Sequence, residues 1–148
     1  MGRSRLRAAS LASLLALLVG AQGIALAQDD KGAGDRRPKI ALRAQPPVGI
    51  SPTRVVLTAE LTGGANDFEE YYCPTIEWDW GDDTRSESTL DCEPYEAGKS
   101  QIRRRFTVVH VFKRAGAFRV YFRIKQRDKA VGNATTTIQI RPGANQPF

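Results

Sequence analysis

Ile76-Glu77-Trp78-Asp79-Trp80-Gly81-Asp82-Asp83-Thr84 is the stretch whose reading decides the fold. Ile76, Trp78 and Trp80 alternate with Glu77 and Asp79, the two-residue period of a strand with one buried face. Gly81-Asp82-Asp83 then stops the strand with turn chemistry. The stretch reads as the central strand of a β-sandwich, its two tryptophans among the largest apolar surfaces of the core.

The same period recurs outward from it. Phe118, Val120, Phe122 and Ile124 alternate with Arg119, Tyr121, Arg123 and Lys125, the cleanest strand in the chain. Ile102, Phe106, Val108, His110 and Phe112 share one parity, interrupted by Arg104. Thr136, Ile138 and Ile140 form a last strand after the polar hairpin connection Arg127 to Gly132. Upstream, Arg54 to Leu61 is a strand with one buried face, and Lys39 to Ala44 is a first edge strand ended by Pro46-Pro47. Val48 to Pro52 reads as a turn-rich link, and Asp82 to Lys99 as a long connection without periodic pattern. Loops of that length are uncommon in compact domains and are often functional. With no helical period anywhere, the expected fold is all-β, a single antiparallel sandwich.

The ends of the chain frame that domain. Arg3, Arg5 and Arg7, the apolar run Leu11 to Val19 and Ala25-Leu26-Ala27 make residues 1–27 a secretory signal peptide. Residues 28–38 read as a flexible polar segment, 39–141 as the sandwich and 142–148 as a C-terminal tail. The apolar run is short for a membrane span and no second one follows, so the mature chain is expected to be secreted or periplasmic with no span. The formal charge of +6, less the three leader arginines, leaves +3 on the mature chain. A nucleic-acid partner is therefore not expected.

Cys73 and Cys92 are the only cysteines, an even count in a chain with an export signal. They read as one disulfide, tying the long loop back to the start of the tryptophan strand. The rival, a site of two thiolates on a metal, needs further ligands, and the lone His110 is a poor supplement.

Two motifs carry a family resemblance. Trp78-Asp79-Trp80-Gly81-Asp82-Asp83 resembles the W-D-F-G-D-G signature of the polycystic-kidney-disease (PKD) domain. The run from His110 through Phe112, Gly116 and Phe118 to Val120 is similar to its second signature, H-x-Y-x-x-x-G-x-Y-x-V. Val131-Gly132-Asn133 with Thr136 to Ile140 is similar to its last hairpin, so the resemblance spans about residues 40–141. It implies an immunoglobulin-like sandwich acting as an extracellular, non-catalytic module for protein or carbohydrate contacts. Asp83 stands in place of the final motif glycine, Phe112 and Phe118 in place of tyrosines, and the loop after Asp83 is longer and holds Cys92.

From Asn66 to Glu96 there are 11 of the 16 acidic residues and a single base, Arg85. Calcium is the one cofactor that such a region suits, because hard cations take several carboxylate and carbonyl oxygens; Asp79, Asp82 and Asp83 are its candidate ligands. The plain alternative is that these residues bond turn amides while the other acids are solvated. Glycoside hydrolysis needs two carboxyls across a cleft, and nothing in the pattern supplies one. His110 lies on an apolar parity and no elbow motif locates a serine, so a small hydrolase is the least supported class. Arg119, Tyr121, Arg123 and Lys125 form an outward basic stripe, which Arg103, Arg104 and Arg105 extend if their strand is adjacent. The expectation is a non-catalytic module binding an exported protein or glycan through Asp91, Glu93, Tyr95 and Glu96 on the long acidic loop, with a calcium-stabilised module as the alternative.

Overall fold

The computed structural model describes residues 36–144. The leader, residues 28–35 and residues 145–148 of the tail lie outside them.

Among the described residues, eight strands build two sheets. β1 (Lys39–Gln45), β3 (Thr53–Thr62) and β6 (Arg105–Phe112) form one, in the order β1-β3-β6. β2 (Val48–Ile50), β4 (Thr75–Asp79), β5 (Arg85–Thr89), β7 (Gly116–Gln126) and β8 (Lys129–Arg141) form the other, in the order β2-β8-β7-β4-β5. All pairings are antiparallel except β2 with β8. A pairing of second strand with fifth in one sheet, facing third, sixth and seventh in the other, is the immunoglobulin-like arrangement, with β2 and β5 as additions.

Alternation decides which residues meet between the sheets. Val55, Leu57, Ala59 and Leu61 of β3 are buried, as are Val120, Phe122 and Ile124 of β7. Ile76 and Trp78 of β4, Phe106 and Phe112 of β6 and Ile138 and Ile140 of β8 complete the layer, with Trp80 just past β4. Phe112 and Phe118 sit in this core, which accounts for apolar rings where the PKD signature has tyrosine: a phenol there would need a buried partner for its hydroxyl.

Four expectations are corrected. The tryptophan strand is not central, because β7 occupies the middle of its sheet, and β4 lies between β7 and β5 with Trp78 opposite Phe122. The expected structureless loop from Asp82 to Lys99 contains β5, paired residue for residue with β4. All five β5 residues are exposed, so neither face buries apolar side chains and no period betrays the strand. The link at Val48 holds β2: Gln139 N–H donates to Pro47 O at 2.9 Å, carrying the chain from the first sheet to the second. Residues 36–38 are docked rather than loose, since Pro38 is fully buried and Arg37 donates to Val131 O at 2.7 Å and pairs with Glu70.

Cys73 and Cys92 are joined as a disulfide, so the thiolate-metal alternative falls. The bond closes a loop of sequence separation 19 that contains β4 and β5. Constraining such a loop in the unfolded chain is worth about 3 kcal/mol. Replacing both cysteines by alanine is expected to lower unfolding stability by about that amount in denaturant titration while β-sheet circular dichroism is retained.

Candidate functional site

The turn after β4 draws the two signature motifs together. Trp78 and Trp80, two residues apart on one face, stack at 5.6 Å between ring centres. The His110 imidazole from β6 lies parallel to Trp80 at 4.3 Å and edge-on to Phe112 at 4.7 Å. Its Nε2 meets Asp82 Oδ2 at 2.7 Å. The other Asp82 oxygen accepts the Thr84 amide at 3.1 Å and the Thr84 hydroxyl.

Backbone geometry holds the turn. Gly81 has φ +71, and a Cβ there would stand 2.5 Å from the Arg119 carbonyl oxygen, so only glycine fits. Asp83 has φ +70, which is the left-handed conformation that the signature glycine would adopt and that Asp tolerates better than most residues.

Burial by itself would raise the Asp82 carboxyl, but the hydrogen bonds from Thr84 and His110 outweigh it and hold the group below its ordinary 3.8. Around the pair lies a recess of about 250 Å³ that Val111, Lys113, Arg114 and Phe118 also line. The Thr84 hydroxyl donates to Asp82, not to His110. A nucleophile activated through histidine needs the hydroxyl on the imidazole and the carboxylate behind it, so this set is wired as a turn support.

The three candidate calcium ligands are not brought together. Asp79 Oδ1 accepts the Gly81 amide at 3.2 Å, and its Oδ2 meets Arg85 at 3.2 Å. Asp82 is committed to Thr84 and His110, and Asp83 is fully exposed with Arg114 at 4.0 Å. Among the described residues, no group of three or more His, Cys, Asp or Glu is arranged to hold a metal ion.

Arg123 and Lys125 of the basic stripe are neutralised where they lie, while Arg119 is exposed with no carboxylate partner among the described residues. Glu77 on β4 bonds Arg123 and, at 3.3 Å, Lys125; Glu87 on β5 takes Lys125 at 2.9 Å. Burial opposes ionisation of Glu77, but these two cations outweigh it and hold its pKa below the ordinary 4.5. Arg103, Arg104 and Arg105 do not extend the stripe, because they lead into β6 in the opposite sheet.

The acidic loop is pinned at several points. Cys92 ties it covalently to Cys73, and the Tyr72 hydroxyl donates to Glu93 O at 2.9 Å. The Tyr95 hydroxyl donates to Asp67 O at 2.6 Å, with its ring tilted against Tyr72 at 5.5 Å. Asp67 Oδ2 accepts the Gly98 amide at 3.0 Å. Burial, then the Asp67 and Glu69 carboxylates, raise the Tyr95 phenol above 10, which keeps it a donor. Tyr95 is thus an anchor first, its half-buried ring facing an open depression of about 460 Å³ beside Phe68. Asp91, Glu93 and Glu96 remain exposed; Glu96 pairs with Lys99 at 2.6 Å, and Asp91 and Glu93 have no ion-pair partner among the described residues. Sequence pattern located the loop and missed the anchoring by Tyr72 and Asp67, which no spacing rule connects to it.

Asp82 and Glu77 both have lowered pKa values in the fold, so each stabilises it above the ordinary carboxylate range and loses that contribution as pH falls through its folded value. Melting temperature is expected to be level at neutral pH and to fall below about pH 4.5. Asp82→Asn should lower the neutral plateau and flatten the acid limb, as read by melting at a series of pH values.

No family model matches the chain, and no curated protein matches it. Among solved structures it is similar to the PKD domain of an M14-like peptidase from Thermoplasmatales archaeon SCGC AB-540-F20, at 15% identity and a TM-score of 0.48, over 72% of this chain and 97% of that one. A score at that level adds no argument of its own, and the immunoglobulin-like architecture rests on the strand pairing described above.

Proposed function

We propose that this chain is an exported, non-catalytic interaction module that presents its disulfide-tethered acidic loop to another exported protein bearing a basic surface. The observation that carries this reading is the combination of a fixed backbone with free charge. The loop is held by Cys92, Tyr72 and Tyr95, while Asp91 and Glu93 point no charge at a partner of their own. Ordering a loop before association removes that cost from binding, and rim charges of one sign speed the encounter with the opposite sign. The disulfide also fits an oxidising compartment, in line with the export signal in residues 1–27.

A glycan is the second ligand class, favoured by one feature. The depression beside the loop sets the Tyr95 and Phe68 rings among Asp67, Glu69 and Glu70, an apolar floor with acceptors around it. Calcium has weaker support, since Arg85 and His110 already engage the Asp79 and Asp82 carboxylates.

The test is affinity capture by the mature protein from its own envelope or medium, with and without calcium. Asp91→Asn with Glu93→Gln is expected to reduce recovery of the partner about tenfold, the equivalent of roughly 1.4 kcal/mol. Arg119→Ala, on the opposite charge face, is expected to leave recovery unchanged. Loss with the arginine variant alone would place the contact on the wrong surface.

A further inference from the structure

The sandwich is open along one side. β5 ends the five-stranded sheet and β6 ends the three-stranded one, and between these edges runs a slot of about 240 Å³. Ile76, Trp78, Leu90, Phe106 and Val108 supply its apolar lining. In the sandwich of the constant immunoglobulin type, the fourth strand pairs beside the fifth at this edge; here the chain runs from β5 through the acidic loop to β6, the fifth-strand equivalent, without forming it.

The register of β6 shows which backbone groups face that gap. Leu61 N–H donates to Arg104 O at 2.8 Å, so position 104 and alternate residues after it turn their amides and carbonyls toward β3. Thr107, Val109 and Val111 therefore turn theirs to the open edge. The same residues are exposed on the outer face, Val109 and Val111 by 41% and 44%. Arg103 already uses the edge in this way, its Nε donating to Arg105 O at 3.0 Å.

We infer that β6 is a strand-addition site for an extended, acidic segment of a protein partner. Charge selects the occupant. Residues 103–114 carry five Lys or Arg and no Asp or Glu, and Arg54 lies across from Val111 on β3. Arg105 shares Glu60, whereas Arg54 and Arg103 have no carboxylate partner among the described residues. An antiparallel guest sets alternate side chains into the slot above Trp78 and Phe106, where Arg103 lies over the Phe106 ring, and the others beside Thr107 and Val109, on the face that carries Arg54. Pairing with a second copy through the same edge is disfavoured, because it brings Arg103 to Arg105 of one chain beside Lys113 and Arg114 of the other. This site is separate from the acidic loop, and its failure leaves the reading of that loop untouched.

The experiment uses the full mature chain and two synthetic peptides, one alternating Glu with Val and Thr, the other Lys with Val and Thr. Binding and residue-resolved amide hydrogen exchange are measured for each. The acidic peptide is expected to slow exchange at Thr107, Val109 and Val111 and to bind about tenfold or more tightly than the basic one. Val109→Pro, which deletes an outward amide that β3 does not use, should abolish this protection. Arg54→Glu should weaken the acidic peptide without changing melting, so that a folding defect in the proline variant does not decide the matter. Equal binding of both peptides, or unaltered exchange at the three amides with millimolar acidic peptide, overturns the inference. Protection that grows with protein concentration in the absence of peptide also overturns it, in favour of a second copy.

Discussion

One contact across the sandwich governs the rest: the His110 ring from β6 lies flat on Trp80 after β4, with its Nε2 on the Asp82 carboxylate. The two residues come from different sheets, so the contact sets sheet spacing and orientation at that end of the molecule. It also makes one unit of two sequence motifs that are some thirty positions apart. Trp80 stays buried only if the strand stops at once, which Gly81 allows by its close approach to Arg119. Asp82 is thereby carried to His110, and the loop that follows departs in a fixed direction.

The distribution of charge follows from that frame. β4 lies between β7 and β5, so Glu77 and Asp79 on its outer face neutralise Arg123, Lys125 and Arg85 on their neighbours. These part-buried pairs take net charge off that face. What remains uncompensated among the described residues includes Arg119 on β7, acids on the tethered loop, and Arg54 and Arg103 near the open edge of β6. Apart from Arg119, these charges fall into two regions of opposite sign, the acids on the tethered loop and the arginines near the outer edge of β6.

Much of the fold was legible because burial has a period. β3, β4, β7 and β8 each alternate apolar and polar residues, and the structure buries the apolar set. β5 was not legible, because Arg85 to Thr89 is exposed on both faces and owes its form to pairing with β4 alone. β2 was hidden for a similar reason, being three residues held by β8. The disulfide was readable from the even cysteine count together with the expectation of export. The Asp82 to His110 pairing was not, since a single histidine on an apolar parity gives no sign of which carboxylate lies across the sandwich from it. Nor was the neutralisation of Arg123 and Lys125, which depends on the strand order β7-β4-β5.

The account stands on the two sheets being coupled through Asp82 and His110, and a double-mutant cycle measures that coupling directly. Asp82→Asn, His110→Gln and the double variant would be compared with the parent by denaturant unfolding at neutral pH. The account predicts that the single changes are not additive, with a coupling energy of about 1 kcal/mol or more. Additive effects would mean that the two side chains act independently, and would contradict it.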